Sequence, residues 1–258
     1  MKEMDLAGKV ALVTGGSQRV GRILCLALAK AGADIVMNYW KTEEDATGTR
    51  KEIEALGRKC LAIEADISVP RQSAWMIAEV EKEFHRLDIL VHNASNFNEC
   101  AFLEVTEEIW ESSFGVNLKG PFFLSQAAAK LMMKHKSGRM IAMVGNSYFE
   151  NWPDFIPHTL AKSGLARLMQ SLAITLSPYV QCNAICPAVI FPSAHGQDLH
   201  ILQQRGEAHA GEFEAFRGDT LVHRGTPEEV AELVVYLAGC SGYLTGTVIP
   251  IDGGKSAL

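Results

Sequence analysis

The sequence alternates short apolar runs with longer segments of helical periodicity, and this alternation limits the folds open to the chain. Hydrophobicity in these runs is continuous rather than alternating, which indicates strands buried on both faces. Such strands form parallel sheets that helices cover on both sides. The predicted strands are residues 10–13, 35–39, 60–65, 89–92, 140–144, 180–185 and 248–251.

Helical segments separate these strands, and the connection between two parallel strands is almost always a right-handed crossover. The predicted helices are residues 20–31, 43–56, 71–84, 107–134, 158–177 and 227–238. The predicted fold class is therefore α/β, a Rossmann-type, doubly wound, seven-stranded parallel sheet in a single domain of residues 1–258.

A polar segment of about residues 187–223 interrupts the alternation. A loop of that length inside a compact domain usually has a function, and this fold binds ligands at the carboxyl ends of its strands. We therefore expect the segment to be a substrate-covering lid. The spacing of its histidines, His195, His200 and His209, matches no metal motif, so no metal site is predicted.

Charge and hydropathy argue against several kinds of partner. The net charge of −6 gives no general attraction for nucleic acid or an anionic membrane, so neither is an expected partner. No apolar run approaches the roughly 20 residues of a membrane-spanning helix. The N-terminal sequence MKEMD is charged and does not resemble a signal peptide. The sequence predicts a cytoplasmic protein that acts on a small molecule.

A glycine-rich turn follows the first predicted strand and leads into a helix. Glycines let the backbone approach a pyrophosphate, whose charge is stabilised at the helix N-terminus. The turn, TGGSQRVG at residues 14–21, therefore predicts a dinucleotide site. Its candidate cofactor-binding residues are Thr14, Gly15, Ser17, Arg19, Val20 and Gly21.

The end of the second predicted strand indicates which dinucleotide binds. A carboxylate at this place accepts the ribose 2′-hydroxyl of NAD and disfavours the 2′-phosphate of NADP. None occurs before Glu43, whereas Lys41 and Thr42, just after Tyr39, can bind a phosphate by charge and by hydroxyl. The predicted cofactor is NADP(H), and the alternative is that Lys41 is only a solvated surface lysine.

Several motifs, in order along nearly the whole chain, resemble those of the short-chain dehydrogenase/reductase family. They are the turn 14–21, Asp66, His92-Asn93-Ala94, Asn117, Lys162 and the sequence IPIDGG at residues 249–254. The resemblance implies that Asp66 contacts the adenine and Lys162 the nicotinamide ribose. Further cofactor contacts that it implies are Ile67, Asn93, Ala94, Ser95, Pro187 and Val189. It also implies that Asn117 kinks its helix and holds a proton-relay water, and that the protein is a homotetramer.

Within that family, three features are most similar to the pteridine reductase and dihydromonapterin reductase branch. They are Arg19 in the glycine-rich turn, the sequence NASNF at residues 93–97, and the C-terminal region from residue 224 to residue 256. This resemblance implies a pterin-like substrate, held by Arg19, Ser95 and Phe97. Two other interpretations stay open, with Phe97 as core or lid packing and Arg19 as a phosphate contact only.

Two catalytic positions depart from the family pattern. His158 stands where the family has the tyrosine of its Tyr-x-x-x-Lys pair, and Gly145 stands where it has serine or aspartate. An imidazole can exchange protons near neutral pH, so His158 is a candidate acid or substrate hydrogen-bonder. The alternatives are a degenerate site with poor turnover and another proton donor, such as a bound water or Tyr148.

The sequence therefore predicts an NADPH-dependent oxidoreductase that reduces a pterin-like heterocycle, or a carbonyl or enone of similar size. The alternative is a catalytically degenerate NADP-binding sensor or scaffold. The predicted catalytic residues are Asn117, His158 and Lys162, and the predicted substrate-binding residues are Arg19, Ser95, Phe97, Gly145, Tyr148 and His158.

Overall fold

A computed structural model describes residues 4–188, 207–211, 214–217, 220–223 and 225–257 of the chain. Its main sheet is built from β1 (Val10–Val13), β2 (Asp34–Tyr39), β3 (Cys60–Glu64), β4 (Ile89–His92), β5 (Gly138–Met143), β6 (Val180–Pro187) and β10 (Val248–Ile251). All neighbouring strands are parallel, in the order β10-β6-β5-β4-β1-β2-β3. The predicted seven-stranded, doubly wound sheet is confirmed.

Seven α-helices in the described ranges connect or flank these strands. They are α1 (Arg19–Lys30), α2 (Glu43–Ala55), α3 (Pro70–Phe84), α4 (Glu107–Phe114), α5 (Gly120–Lys134), α6 (Ile156–Thr175) and α7 (Pro227–Gly239). Helices α1, α2 and α7 contribute to the hydrophobic core on one face of the sheet, whereas α3, α5 and α6 contribute to the core on the other. The sheet is therefore the middle of three layers.

Strand β1 shows why the apolar runs are continuous. Val10 and Leu12 belong to the core that α3, α5 and α6 cover, whereas Ala11 and Val13 belong to the core on the opposite face. Successive side chains of a strand point to opposite faces, so a strand between two helical layers buries both sets of side chains and favours apolar residues on both.

The predicted helix 107–134 is wrong in one respect, because a π-helical turn, Gly115–Lys119, separates α4 from α5. The turn brings Gly120 so close to the chain after β3 that a Cβ atom on Gly120 would lie 2.7 Å from the Ile67 carbonyl oxygen. Hydrophobic periodicity misses such a turn, because one extra residue hardly changes the pattern. Asn117, where the family resemblance implies a kink, lies within this π-helical turn.

The segment predicted to be a lid contains regular structure that its sequence pattern does not predict. Three strands, β7 (Glu207–Gly211), β8 (Glu214–Arg217) and β9 (Thr220–His223), form a separate antiparallel sheet. These strands are short, so their periodicity is weak. Val189, predicted to contact the cofactor, lies outside the described residues. The covering role of this segment stays a prediction.

None of the helices in the described ranges is both long enough and apolar enough to cross a membrane. The six cysteines are free thiols. The homotetramer implied by the family resemblance stays a prediction.

Candidate active site

The turn between β1 and α1 is fixed to the end of β4 by hydrogen bonds. The Asn93 side-chain amide donates to the carbonyl oxygens of Thr14 at 2.9 Å and Gly15 at 3.1 Å. The Thr14 hydroxyl oxygen in turn accepts from the backbone N–H groups of Asn93 and Ala94, both at 3.0 Å. Gly21 has no room for a side chain, because a Cβ atom there would lie 1.9 Å from the Gly15 carbonyl oxygen.

A cavity of about 430 Å³ opens beside this turn, at the N-terminus of α1. The predicted cofactor residues that line it are Gly15, Ser17, Arg19, Val20, Gly21, Tyr39, Thr42, Asp66, Ile67, Asn93, Ala94 and Ser95. A cavity of about 300–1,000 Å³ is typical of cofactor sites, and a helix N-terminus stabilises a pyrophosphate. The residues present therefore fit a dinucleotide. The lining residues that are not among the predicted cofactor contacts are Gln18, Asn38, Trp40, Ala65, Asn96 and Val116.

Next to β2, the position of Lys41 differs from the phosphate contact that the sequence predicts. The Lys41 ammonium lies over the Trp40 ring, 5.3 Å from its centroid, and Lys41 is not among the lining residues. The Lys41 backbone N–H donates to a carboxylate oxygen of Glu64 at 3.3 Å. An acidic group from β3 therefore lies near the predicted phosphate contact. Glu64 is 23 residues from Lys41 in the sequence, so the residues around Lys41 do not indicate it.

His158 lies at the start of α6, with its ring among aromatic side chains. Its Nδ1 is 3.0 Å from the Asn96 carbonyl oxygen. Phe97 meets the imidazole edge-on at 4.8 Å, and the Trp152 ring is parallel to it, with centroids 6.4 Å apart. Only 6% of His158 is exposed, so the imidazole is buried beside Asn96, a residue that lines the cofactor cavity.

The Asn96 carbonyl is held in place by Asn117. The Asn117 side-chain amide donates to the Asn96 carbonyl oxygen at 3.2 Å, to the Asn96 side-chain oxygen at 2.6 Å, and to the Ser113 carbonyl oxygen at 3.0 Å. Its side-chain oxygen accepts from the Ser95 hydroxyl at 2.7 Å. The buried Asn117 therefore positions the group that His158 contacts.

Lys162 lies one helical turn after His158 on α6 and is almost completely buried. Its ammonium donates to the Met143 carbonyl oxygen at 2.8 Å. Burial lowers the pKa of Lys162 from 10.5 to about 8. Burial, with a smaller contribution from the Lys162 charge, lowers the pKa of His92 to about 3, so His92 is neutral at pH 7.

Gly145, at the position where the family resemblance implies serine or aspartate, has a backbone conformation that other residues rarely adopt. Its φ is 92° and its ψ is 165°, in a region occupied almost only by glycine. A Cβ atom there would meet nothing closer than the Pro187 carbonyl oxygen at 4.0 Å, so the constraint comes from the backbone and not from space.

This conformation leads to a prediction for the Gly145→Ser variant. We expect it to lower the free energy of unfolding by about 1–3 kcal/mol, because serine in this region is strained. Chemical denaturation measures the loss, with Gly48→Ser as a control, since Gly48 has open space and an ordinary helical backbone. An unchanged midpoint would show that the segment readily adopts another conformation.

Asn146 and Ser147, which directly follow Gly145, are polar and buried. Within the described part of the chain, both side-chain amide atoms of Asn146 and the hydroxyl of Ser147 have no hydrogen-bond partner. Tyr148, the predicted alternative donor, is 37% exposed and packs edge-on against Phe149. Buried polar atoms in proteins nearly always find partners, so this turn offers hydrogen bonds to a ligand or water.

Phe97 has one face covered. It stacks on Phe155 with centroids 4.0 Å apart and meets Trp152 edge-on at 5.9 Å. On that face, Phe97 packs against its neighbours, as the alternative interpretation of this residue predicts.

Residues 9–199 match the model of the short chain dehydrogenase family. The chain belongs to that family. L-rhamnose 1-dehydrogenase (NAD(P)(+)) from Sphingomonas sp. (strain SKA58) is 33% identical over 96% of this chain and 96% of its own length. The enzyme of the same name from Azotobacter vinelandii is 32% identical over 97% of this chain and 98% of its own. A solved structure described as a short-chain alcohol dehydrogenase from Sinorhizobium meliloti 1021 has a TM-score of 0.85 and 29% identity, covering 99% of both chains.

The chain is therefore an NAD(P)-dependent oxidoreductase. This result favours the enzyme over the alternative of a sensor or scaffold. The assignment to the pteridine reductase branch is not supported, because the relatives named here, together with a third from Scheffersomyces stipitis at 32% identity, are L-rhamnose 1-dehydrogenases. The motif NASNF at residues 93–97 suggested that branch. Its Asn96 accepts hydrogen bonds from Asn117 and His158, and these contacts explain the polar residue without a pterin.

Proposed function

We propose that the protein interconverts an alcohol and a carbonyl group with NAD(P), and that His158 exchanges the proton. The observation that carries this proposal is the contact between His158 Nδ1 and the Asn96 carbonyl oxygen. A carbonyl oxygen only accepts hydrogen bonds, so Nδ1 carries the hydrogen. In the neutral imidazole, Nε2 is then the basic nitrogen.

A basic Nε2 suits oxidation of an alcohol. It takes the hydroxyl proton, and the carbon that bears the oxygen becomes a carbonyl carbon. When bound, the nicotinamide supplies the other half of the reaction by accepting the hydride from that carbon. In the direction of reduction, the imidazolium returns the proton from Nε2 to the carbonyl oxygen.

Lys162 and Asn117 have separate roles in this proposal. Lys162 holds a positive charge below about pH 8 and, through the family resemblance, binds the nicotinamide ribose. Asn117 acts through Asn96 and keeps the imidazole in the required tautomer and orientation. The residues that hold the dinucleotide are those of the cavity beside the β1–α1 turn.

We further propose that the substrate is a cyclic polyhydroxy compound of the sugar type. Two observations support this class: the named activity of the relatives and the buried, unpaired side-chain atoms of Asn146 and Ser147. A panel of L-rhamnose, other aldoses, simple secondary alcohols and a dihydropterin tests it by absorbance of the reduced cofactor. We expect the highest kcat/KM on an aldose. Turnover of the dihydropterin alone would contradict the proposed substrate class and restore the pterin interpretation.

We propose that NADP(H) is preferred over NAD(H), although the first-named relatives bear the label NAD(P)(+). Lys41 and Thr42 support this preference, and Glu64 opposes it. We expect Lys41→Ala to weaken NADPH binding about 10- to 100-fold and to leave NADH binding unchanged, because a charge-assisted phosphate contact contributes about 1.5–3 kcal/mol. Fluorescence titration measures both affinities. Lys51→Ala, which removes an exposed lysine of α2, is the control. Equal losses of NADPH and NADH affinity in Lys41→Ala would contradict the assignment.

A further inference from the structure

The last residues of the chain return to the candidate active site. Lys255 begins a short 3-10 helix, Lys255–Ala257, after β10. The Asp252 carboxylate holds this turn by accepting from the backbone N–H groups of Gly254 at 3.0 Å and Ser256 at 2.7 Å. The Lys255 side chain is thereby directed inward and is only 9% exposed.

Lys255 forms an ion pair with Glu150, which is also largely buried. The Lys255 ammonium is 3.7 Å from the Glu150 Oε2 atom, and the Glu150 side chain is 14% exposed. A buried ion pair contributes little net stability, because both charges lose their water. Its clearest effect is geometric, since a buried carboxylate needs its partner at a defined place.

The same Oε2 atom connects the ion pair to the aromatic wall of the site. Oε2 of Glu150 accepts a hydrogen bond from the Trp152 indole N–H at 3.0 Å. The Trp152 ring lies parallel to the His158 imidazole, with 5° between the planes, and both rings meet Phe97 edge-on. The orientation of the indole thus sets one wall of the space that the imidazole occupies.

We propose that Lys255 is a positioning residue that acts on His158 through Glu150 and Trp152. This inference rests on the proposed role of His158. The chain of contacts joins the C-terminal tail to the group that exchanges the proton, so correct placement of the tail sets the turnover rate. Asn96 fixes the imidazole at Nδ1, and Trp152 fixes the plane of its ring.

The test compares Lys255→Gln with Lys255→Arg, which keeps the charge. We expect Lys255→Gln to lower kcat about 10- to 100-fold, the size of effect that a small displacement of a reacting group produces. The KM for cofactor stays unchanged, and Lys255→Arg retains most of the activity. Lys30→Gln, at an exposed lysine of α1, is the matched control. Equal activity of Lys255→Gln and the parent would overturn the inference.

A second variant covers the case in which Lys255→Gln does not fold. Trp152→Phe keeps an aromatic ring beside His158 and removes the N–H that donates to Glu150, together with part of the indole ring. We expect the same loss of kcat, again with unchanged cofactor affinity. A fully active Trp152→Phe enzyme would show that the indole–carboxylate contact does not position the imidazole.

The double variant Lys255→Gln/His158→Ala separates this inference from the proposed function. If Lys255 acts through His158, the first substitution has no further effect once His158 is alanine. If the fold-losses of kcat in the two single variants multiply in the double variant, the inference is overturned and the role of His158 is left intact. Full activity of the single variant His158→Ala would instead reject the proposed function. Tryptophan fluorescence gives a readout that does not depend on activity. The emission of Trp152 is the part of the signal that Trp152→Phe removes, and we expect Lys255→Gln to change it. An unchanged Trp152 emission in Lys255→Gln would reject the contact from Lys255 through Glu150 to Trp152.

Discussion

His158→Ala is expected to lower turnover by about 10²–10⁴-fold, which is the usual contribution of a positioned general acid or base. The affinity for the dinucleotide should not change, because His158 is not among the residues that line the cofactor cavity. Steady-state assays in both directions, combined with cofactor titration, measure the two quantities. A loss of both at once would mean that the variant has disturbed the turn that carries Asn96.

The matched control for this experiment is His135→Ala. His135 also places a ring nitrogen 3.0 Å from a backbone carbonyl oxygen, that of His85, but it follows the end of α5 and is exposed. It should keep full turnover. If His158→Ala retains near-full turnover with the pH dependence of the parent, the imidazole does not exchange the proton. Tyr148→Phe then tests the remaining side-chain donor.

Lys162→Met is expected to change activity and stability in opposite directions. Turnover falls about 10- to 100-fold or more, because a hydrogen bond from a charged group typically contributes about 1.5–3 kcal/mol. The free energy of unfolding at pH 7 rises by an amount on the order of 3 kcal/mol, the free-energy equivalent of a pKa lowered from 10.5 to about 8 by burial. Denaturation and turnover measurements on one preparation give both quantities.

The pH dependence of the parent follows from the same pKa. Lys162 binds its proton less tightly in the folded protein, so the unfolded chain carries more protons between pH 8 and 10.5. The free energy of unfolding therefore gains a rising contribution from this group across that window, and Lys162→Met lacks it. Turnover of the parent falls above about pH 8, as the ammonium loses its charge. Lys130→Met, at an exposed lysine, should show neither change; a parent-like profile in Lys162→Met would contradict the assignment.

The strands and the glycine-rich turn could be predicted because local sequence determines them. Strand β1 is apolar at four successive positions between two helical layers, and Gly21 excludes any side chain. Both constraints restrict the residue types that can occur at these positions. The cofactor cavity followed from these elements, since the carboxyl ends of β1, β2 and β4 meet beside the turn.

The surroundings of His158 could not be predicted from local patterns. Its partner Asn96 is 62 residues away in the sequence, and Lys255 reaches Glu150 from the other end of the chain. Contacts of this kind depend on how loops at the sheet edge meet, and hydrophobic periodicity carries no information about them. The positive φ at Gly145 likewise required the backbone itself, because an isolated glycine is compatible with many conformations.

The two-sided burial of the strands also determines where this enzyme can acquire new chemistry. A shift of β1 by one residue would move Val10 and Leu12 into the core on the opposite face of the sheet. Every other side chain of the strand would change face as well. The turns beyond the strand ends bear no such restriction. Gly145 and His158 both lie there, after β5 and at the start of α6, so these two positions can change while the interior keeps its packing. The architecture thus separates the residues that can vary with the reaction from those that must serve the fold.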